Sequence, residues 1–133
     1  MFVLDMSSDE TILDFLYAKG SLEILAAIKE FDRPQHIELR NRIHLSSSTL
    51  TKRLKEGVQH GVWQQALRQN EDGTSAKVYE LTDPGEEVYD VLDEHELPEE
   101  FKQRRELELS IRHHRDLAIE DLEIHIFDWL EDE

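Results

Sequence analysis

Apolar and polar positions alternate along the chain in a way that divides it into helices with one hairpin between them. Ile12, Leu13, Phe15 and Leu16 recur at helical spacing behind Ser7 and Glu10, a pair with capping-box spacing, and Lys19-Gly20 ends this first short helix. Ser21 suits the N-cap of a second helix that carries Leu22, Leu25 and Ile28 and runs to Phe31. Asp32-Arg33-Pro34 is a break, and Pro34 fits the first turn of a third helix over residues 35–43, with Ile37, Leu39 and Ile43 inward. Ser46 then caps a fourth helix in which Leu50, Leu54 and Val58 fall on one face, and Gly61 stops it.

After Gly61 the period shortens. Residues 62–68 read as a strand, residues 70–74 as a polar turn, and residues 77–82 as a second strand, together a hairpin. Thr82 or Asp83 caps the next helix, with Val88, Val91 and Leu92 inward. Leu97-Pro98 is a second break. Beyond it residues 99–130 form a long amphipathic segment with Phe101, Leu107, Ile111, Ala118, Leu122, Ile126 and Trp129 near one stripe. Leu122 to Ile126 alternates with period two and also fits a strand; helix is preferred because no turn signal separates it from its surroundings.

Charge changes the picture. The chain has 133 residues, 31 of them acidic and 15 basic, for a net charge of −16. Its basic residues are nine Arg and six Lys. Dispersed acid with little lysine is the balance of proteins from salt-accumulating halophiles, so a halophilic archaeal origin is expected over a mesophilic acidic protein with a basic partner. The acid is not spread evenly. Between Arg33 and Arg68 stand seven basic residues and only Glu38 and Glu56 as acids, a window of +5 that leaves −21 for the rest. The fourth helix lies inside this window, and its face opposite Leu50 and Leu54 carries Ser48, Thr49, Lys52, Lys55, Glu56 and Gln59. Such a local charge excess in an acidic chain points to a polyanionic partner.

Other function classes find little support. Without cysteine there is no disulfide, thiol nucleophile or thiol redox switch. The apolar run at residues 1–4 is too short for a signal peptide or a membrane span, and the expected location is the cytoplasm. No phosphate-binding glycine loop or nucleophile motif is present, and no cofactor or enzymatic activity is expected. His113, His114 and His125 lie near Asp116, Glu120 and Asp121 at spacings that suit a divalent metal, but carboxylates are so frequent here that coincidence is the preferred reading and no metal is expected.

Four short motifs in a fixed order carry a resemblance. Glu38-Leu39 sits in the third helix. Ser46, Thr49, Leu50, Arg53 and Leu54 form an S-x-x-T-L-x-x-R-L core in the fourth. Gly61-Val62-Trp63 leads into the hairpin, and Tyr79, Leu81, Thr82 and Gly85 form a Y-x-L-T-x-x-G closure. None is specific alone. In this order, over about residues 19–92, they resemble the winged helix-turn-helix transcriptional regulators of the HxlR, MarR and PadR-like kind. The chain departs from that pattern at the hairpin tip, which is Glu71-Asp72 where a basic wing is usual, and at Gly57, where leucine is usual.

The resemblance implies a mainly α fold with a small β-hairpin wing. It implies a single domain over 1–133, with an N-terminal helix (1–20) supporting a dimer, a DNA-binding core (21–96) and a C-terminal dimerisation helix (97–133). It also implies a homodimeric, sequence-specific DNA-binding regulator acting on a pseudo-palindromic operator. The fourth helix then enters the major groove with its first turns towards base edges. Ser46, Ser47, Ser48, Thr49, Lys52, Arg53, Lys55 and Gln59 are its expected contacts, with Arg40, Arg42, Arg68 and Lys77 on phosphate. Salt cations are possible partners at that interface. Ser46 is in any case an N-cap, Trp63 is expected in the core, and Arg53 has a second outlet in an ion pair with Glu56 or Glu38. The competing reading is a winged-helix protein-interaction module that does not bind DNA.

Overall fold

The computed structural model describes residues 11–131, so the expected capping pair Ser7–Glu10 lies outside it. The chain divides into two compact units, Met1–Glu99 and Glu100–Glu133.

The first unit begins with α1 (Ile12–Tyr17), capped by Thr11. Its hydroxyl accepts from the Asp14 amide at 3.1 Å, and the Asp14 carboxylate accepts from the Thr11 amide at 3.2 Å. Helix α2 (Ser21–Glu30) starts one residue earlier than expected, at Ser21 itself. Gly20, at φ +88°, is its N-cap, and Ser21 lies fully buried in the first turn. Glycine suits position 20 because the backbone there is left-handed; a Cβ would also stand 2.5 Å from the tip of the Leu45 side chain, which would have to shift.

Asp32 and Arg33 both adopt positive φ, turning the chain sharply into Pro34. That proline is not in the first turn of the next helix. Gln35 is the N-cap of α3 (His36–Arg42), and Pro34 stands ahead of it, fully buried. The Pro34 carbonyl accepts from the Tyr79 amide at 2.9 Å and fastens this link to the hairpin. Leu39 and Ile43 are buried as expected, whereas Ile37 is exposed. Residues two apart in a helix project about 200° from each other, so Ile37 and Leu39 cannot share a face.

Helix α4 (Ser47–Gln59) leads through Gly61 into β1 (Trp63–Gln69) and β2 (Ser75–Leu81). The strands are antiparallel, from Trp63 opposite Leu81 to Gln69 opposite Ser75. Thr82 caps α5 (Asp83–Glu94), its hydroxyl accepting from the Gly85 amide at 3.2 Å. A Cβ on Gly85 would stand 1.8 Å from the Val62 carbonyl oxygen, so glycine lets the helix start lie directly against the entry to the hairpin. Lys29 on α2 donates to Glu86 on α5 at 2.8 Å and lies 5.8 Å from the Tyr89 ring centroid. The hydrogen bond to Glu86 raises the pKa of Lys29, and burial raises that of Tyr89.

One core joins these elements. Phe15, Ile24, Leu25, Leu39, Leu50 and Trp63 are completely or almost completely buried in it. Each such side chain contributes about 1.5–3 kcal/mol relative to an exposed position. The rings of Phe15 and Trp63 meet edge to face with centroids 5.5 Å apart. Val91 departs from expectation: Leu92 is buried and Val88 half-buried, but Val91 is exposed.

Glu96, at φ +61°, precedes α6 (Leu97–Glu131). This helix is continuous, so the alternating stretch Leu122 to Ile126 is helical. In the second unit, every residue from Leu109 to Glu131 is exposed. None of the described helices is long and apolar enough to cross a membrane.

Candidate nucleic-acid interface

The first turn of α4 is built by its cap. The Ser46 hydroxyl accepts from the Thr49 amide at 3.2 Å and donates to the Thr49 hydroxyl at 2.8 Å. The two hydroxyls therefore hold one another, and Thr49 is half-buried. Ser47 and Ser48 remain exposed beside the positive end of the helix dipole.

The face α4 turns inward is Leu50, Leu54 and Gly57, where Leu50, Leu54 and Val58 were expected. Val58 is 42 % exposed. The shift amounts to a rotation of about 30° around the helix axis. Its cause is Trp63, whose ring lies against Gly57 and whose indole Nε1 donates to the Leu54 carbonyl at 2.9 Å. The outward face is rotated with it. Ser47, Ser48, Thr51, Lys52, Lys55 and Gln59 are exposed, whereas Thr49, Arg53 and Glu56 are not.

Arg53 takes its second outlet. Its Nε donates to the Lys19 carbonyl at 2.9 Å and its Nη1 to Glu56 at 2.6 Å, with the two side chains only 14 % and 13 % exposed. The guanidinium thus ties α4 to the link between α1 and α2. It also removes the single acid of α4 from the outward face: Glu56 is half-buried and paired, while Lys52 and Lys55 stand in solvent. The local field on that face is more positive than the sequence count implies.

Thr51 is the residue the sequence reading missed. It is exposed, and its hydroxyl lies 3.4 Å from His36 Nε2 on α3. The spacing Ser47, Thr51, Lys55, at i, i+4 and i+8, was the available signal.

The flanking cations are distributed unevenly. Arg40 and Arg42 are both exposed at the end of α3, and the Arg42 guanidinium lies 3.7 Å from the Phe31 ring centroid. On the hairpin, Lys77 pairs across with Leu67 and Arg68 with Ala76. Adjacent positions on a strand point to opposite faces, so Lys77 and Arg68 belong to opposite faces of the wing. Arg68 points to the Arg33 carbonyl, at 3.5 Å. The wing tip is ordered by Asp72, which accepts from the Thr74 hydroxyl at 2.6 Å and the Thr74 amide at 3.0 Å. These bonds, the hydroxyl one foremost, lower the Asp72 pKa and keep the tip anionic. Among the described residues no group of three or more His, Asp or Glu could hold a metal ion.

The chain matches no protein-family model and no curated relative. It does match solved structures. A possible HxlR family transcriptional factor from Thermoplasma volcanium shares 25 % identity at a TM-score of 0.55, over 68 % of this chain and 78 % of that one. The transcriptional regulator YodB from B. subtilis, in its reduced form, shares 18 % identity at a TM-score of 0.53, over 72 % of this chain and 89 % of that one. Mostly helical, with a two-stranded hairpin after α4 and a long C-terminal helix, the chain has the winged helix-turn-helix fold of HxlR-type transcriptional regulators.

Proposed function

We propose that this protein is a sequence-specific DNA-binding transcription regulator that acts as a homodimer and is adapted to high salt. The observation that carries the reading is the outward face of α4. It presents Ser47, Ser48, Thr51, Lys52, Lys55 and Gln59 without an exposed acid, in a chain whose residues outside 33–68 sum to −21. In this reading the hydroxyls and Lys52 meet base edges, and Lys55, Arg40 and Lys77 meet phosphate. Ser46, Thr49 and Arg53 hold the helix in place. The likeness to solved regulators supports the same assignment.

The dimer in this reading is held by α6. Eleven large apolar side chains between Leu107 and Leu130 are exposed, and apolar surface of that extent marks an interaction site. Two α4 helices related by a two-fold axis would meet half-sites about 34 Å apart. One observation favours the other reading, a protein-interaction module: the wing tip is Glu71-Asp72, held anionic, and repels a phosphate backbone.

Genome-wide mapping of bound sites in the native host, followed by footprinting of one site, separates the two. A regulator protects a pseudo-palindrome. Lys52→Ala weakens that protection by about 1–3 kcal/mol for its lost base contact, Lys55→Ala weakens binding uniformly across sequences, and both leave the melting temperature unchanged. Absence of any protected site, or protection indifferent to both lysines, would refute the DNA reading.

A further inference from the structure

The hydroxyls at the start of α4 form a chain whose proton directions are fixed. A serine oxygen offers one proton and two lone pairs. Ser46 Oγ engages all three. Its proton goes to the Thr49 hydroxyl at 2.8 Å, and one lone pair takes the Thr49 amide proton at 3.2 Å. The second lone pair faces Ser48 Oγ at 3.3 Å. That contact by itself allows either oxygen to donate. Ser46 has no second proton, so Ser48 is the donor.

The consequence falls on the outward side of Ser48, which is exposed. With its proton turned back towards Ser46, the Ser48 oxygen presents only lone pairs to a partner. Thr51 differs. Its hydroxyl lies 3.4 Å from His36 Nε2, a nitrogen that donates in one tautomer and accepts in the other, so its polarity is not fixed by its neighbour. A freely rotating serine hydroxyl pairs with either kind of base group, because it turns to donate or to accept. Ser48 has lost that freedom.

We infer that Ser48 reads its base pair as an acceptor only, and that Ser46 is the positioning residue that makes it so. The inference deepens the regulator reading and rests on it. Ser48 is the second residue of α4, and the first turns of a recognition helix are the part that meets base edges. In the major groove the amino donors are adenine N6 and cytosine N4, whereas guanine offers N7 and O6 and thymine offers O4, all acceptors. An A or C facing Ser48 donates to its oxygen. A G or T there sets lone pairs against lone pairs unless Ser48 releases Ser46, and that exchange forfeits one hydrogen bond. The net worth of one such bond is a factor of about five in affinity.

The test uses the full-length protein and one footprinted operator. All four bases are placed in turn at each half-site position, and affinity is followed by fluorescence anisotropy. Ser48→Ala identifies the position that Ser48 reads, as the one whose base preference it flattens. There the wild type should favour A or C over G or T by about fivefold. Purine in place of adenine, which lacks the N6 amino group, should lower wild-type affinity by about the same factor and leave that of Ser48→Ala unchanged. Ser46→Gly keeps a good capping residue but removes the hydroxyl, so the preference should drop below about twofold. Ser46→Asn, whose side-chain oxygen accepts both protons, should restore it. A merely structural role for Ser46 would lower affinity for all four bases together and leave their ratio alone. Preference for G or T at that position, an unchanged ratio in Ser46→Gly, or no position flattened by Ser48→Ala overturns the inference while the regulator reading stands. Absence of any protected site overturns both.

Discussion

The indole of Trp63 occupies the space in which a side chain at position 57 would stand. A Cβ on Gly57 would lie 2.0 Å from Trp63 Cε2. The same ring donates Nε1–H to the Leu54 carbonyl, so it both packs against α4 and holds it by a buried hydrogen bond. Two effects of Gly57→Ala then oppose each other. Helix propensity improves by about 0.8–1.0 kcal/mol. Overpacking against a fully buried ring costs about 1–3 kcal/mol, occasionally more. Gly57→Ala is expected to lower the denaturant midpoint. A raised midpoint would show that Trp63 is free to move aside.

Ser21 offers the reverse case. It is fully buried in the first turn of α2, and its hydroxyl has no hydrogen-bond partner among the described residues. An unsatisfied buried hydroxyl costs about 1–3 kcal/mol, and alanine is also the better helix former. Ser21→Ala should stabilise the protein by about 1 kcal/mol in equilibrium urea unfolding. Destabilisation would mean that the hydroxyl has a partner, such as a bound water.

Arg53 belongs to a motif whose arginine was an expected DNA contact, but it is turned inward. With both side chains nearly buried, removing one charge leaves the other uncompensated, at a cost of about 2–4 kcal/mol for a pair of this burial. Arg53→Ala and Glu56→Ala should each destabilise, and the double variant should be less unstable than the sum of the two. The affinity of the folded Arg53→Ala protein for its operator should change less than that of Lys52→Ala. If Arg53→Ala abolishes binding with stability unchanged, the arginine reads DNA after all.

The response of binding to salt tests the high-salt reading. An ordinary interface that neutralises six phosphates loses roughly five decades of affinity for a tenfold rise in salt. Here a +5 window sits in a chain whose remainder is −21 and repels DNA. The reach of that repulsion shrinks from about 10 Å at 0.1 M salt to about 3 Å at 1 M, while the close contacts of α4 persist. Affinity should fall only weakly, or rise, between about 0.2 and 2 M KCl, as followed by fluorescence anisotropy with folding checked at each point. A steep ordinary loss would show that the acidic surface is no device for binding in high salt.

Most elements of this fold were legible in the sequence because their signals are local. Helix α4 announces itself through Ser46 and the Leu50–Leu54 repeat, the hairpin through a change of period on either side of residues 70–74, and α5 through Thr82 and Pro84. The excess of positive charge around α4 was equally plain, since it is a sum over residues and needs no geometry. What the sequence could not determine is where each helix points about its own axis. Val58 and Gly57 are neighbours in the chain, and only the bulk of Trp63, arriving from β1, selects the second for the core and turns the first outward. That rotation carries Thr51 into the exposed face and Thr49 and Arg53 out of it. Likewise Gly20, at φ +88°, caps α2 in place of Ser21, which packing from the rest of the fold takes fully out of solvent. Local preference chooses the element; the side chains that reach it from distant parts of the chain choose its face, and the face decides which residues are free to meet a partner.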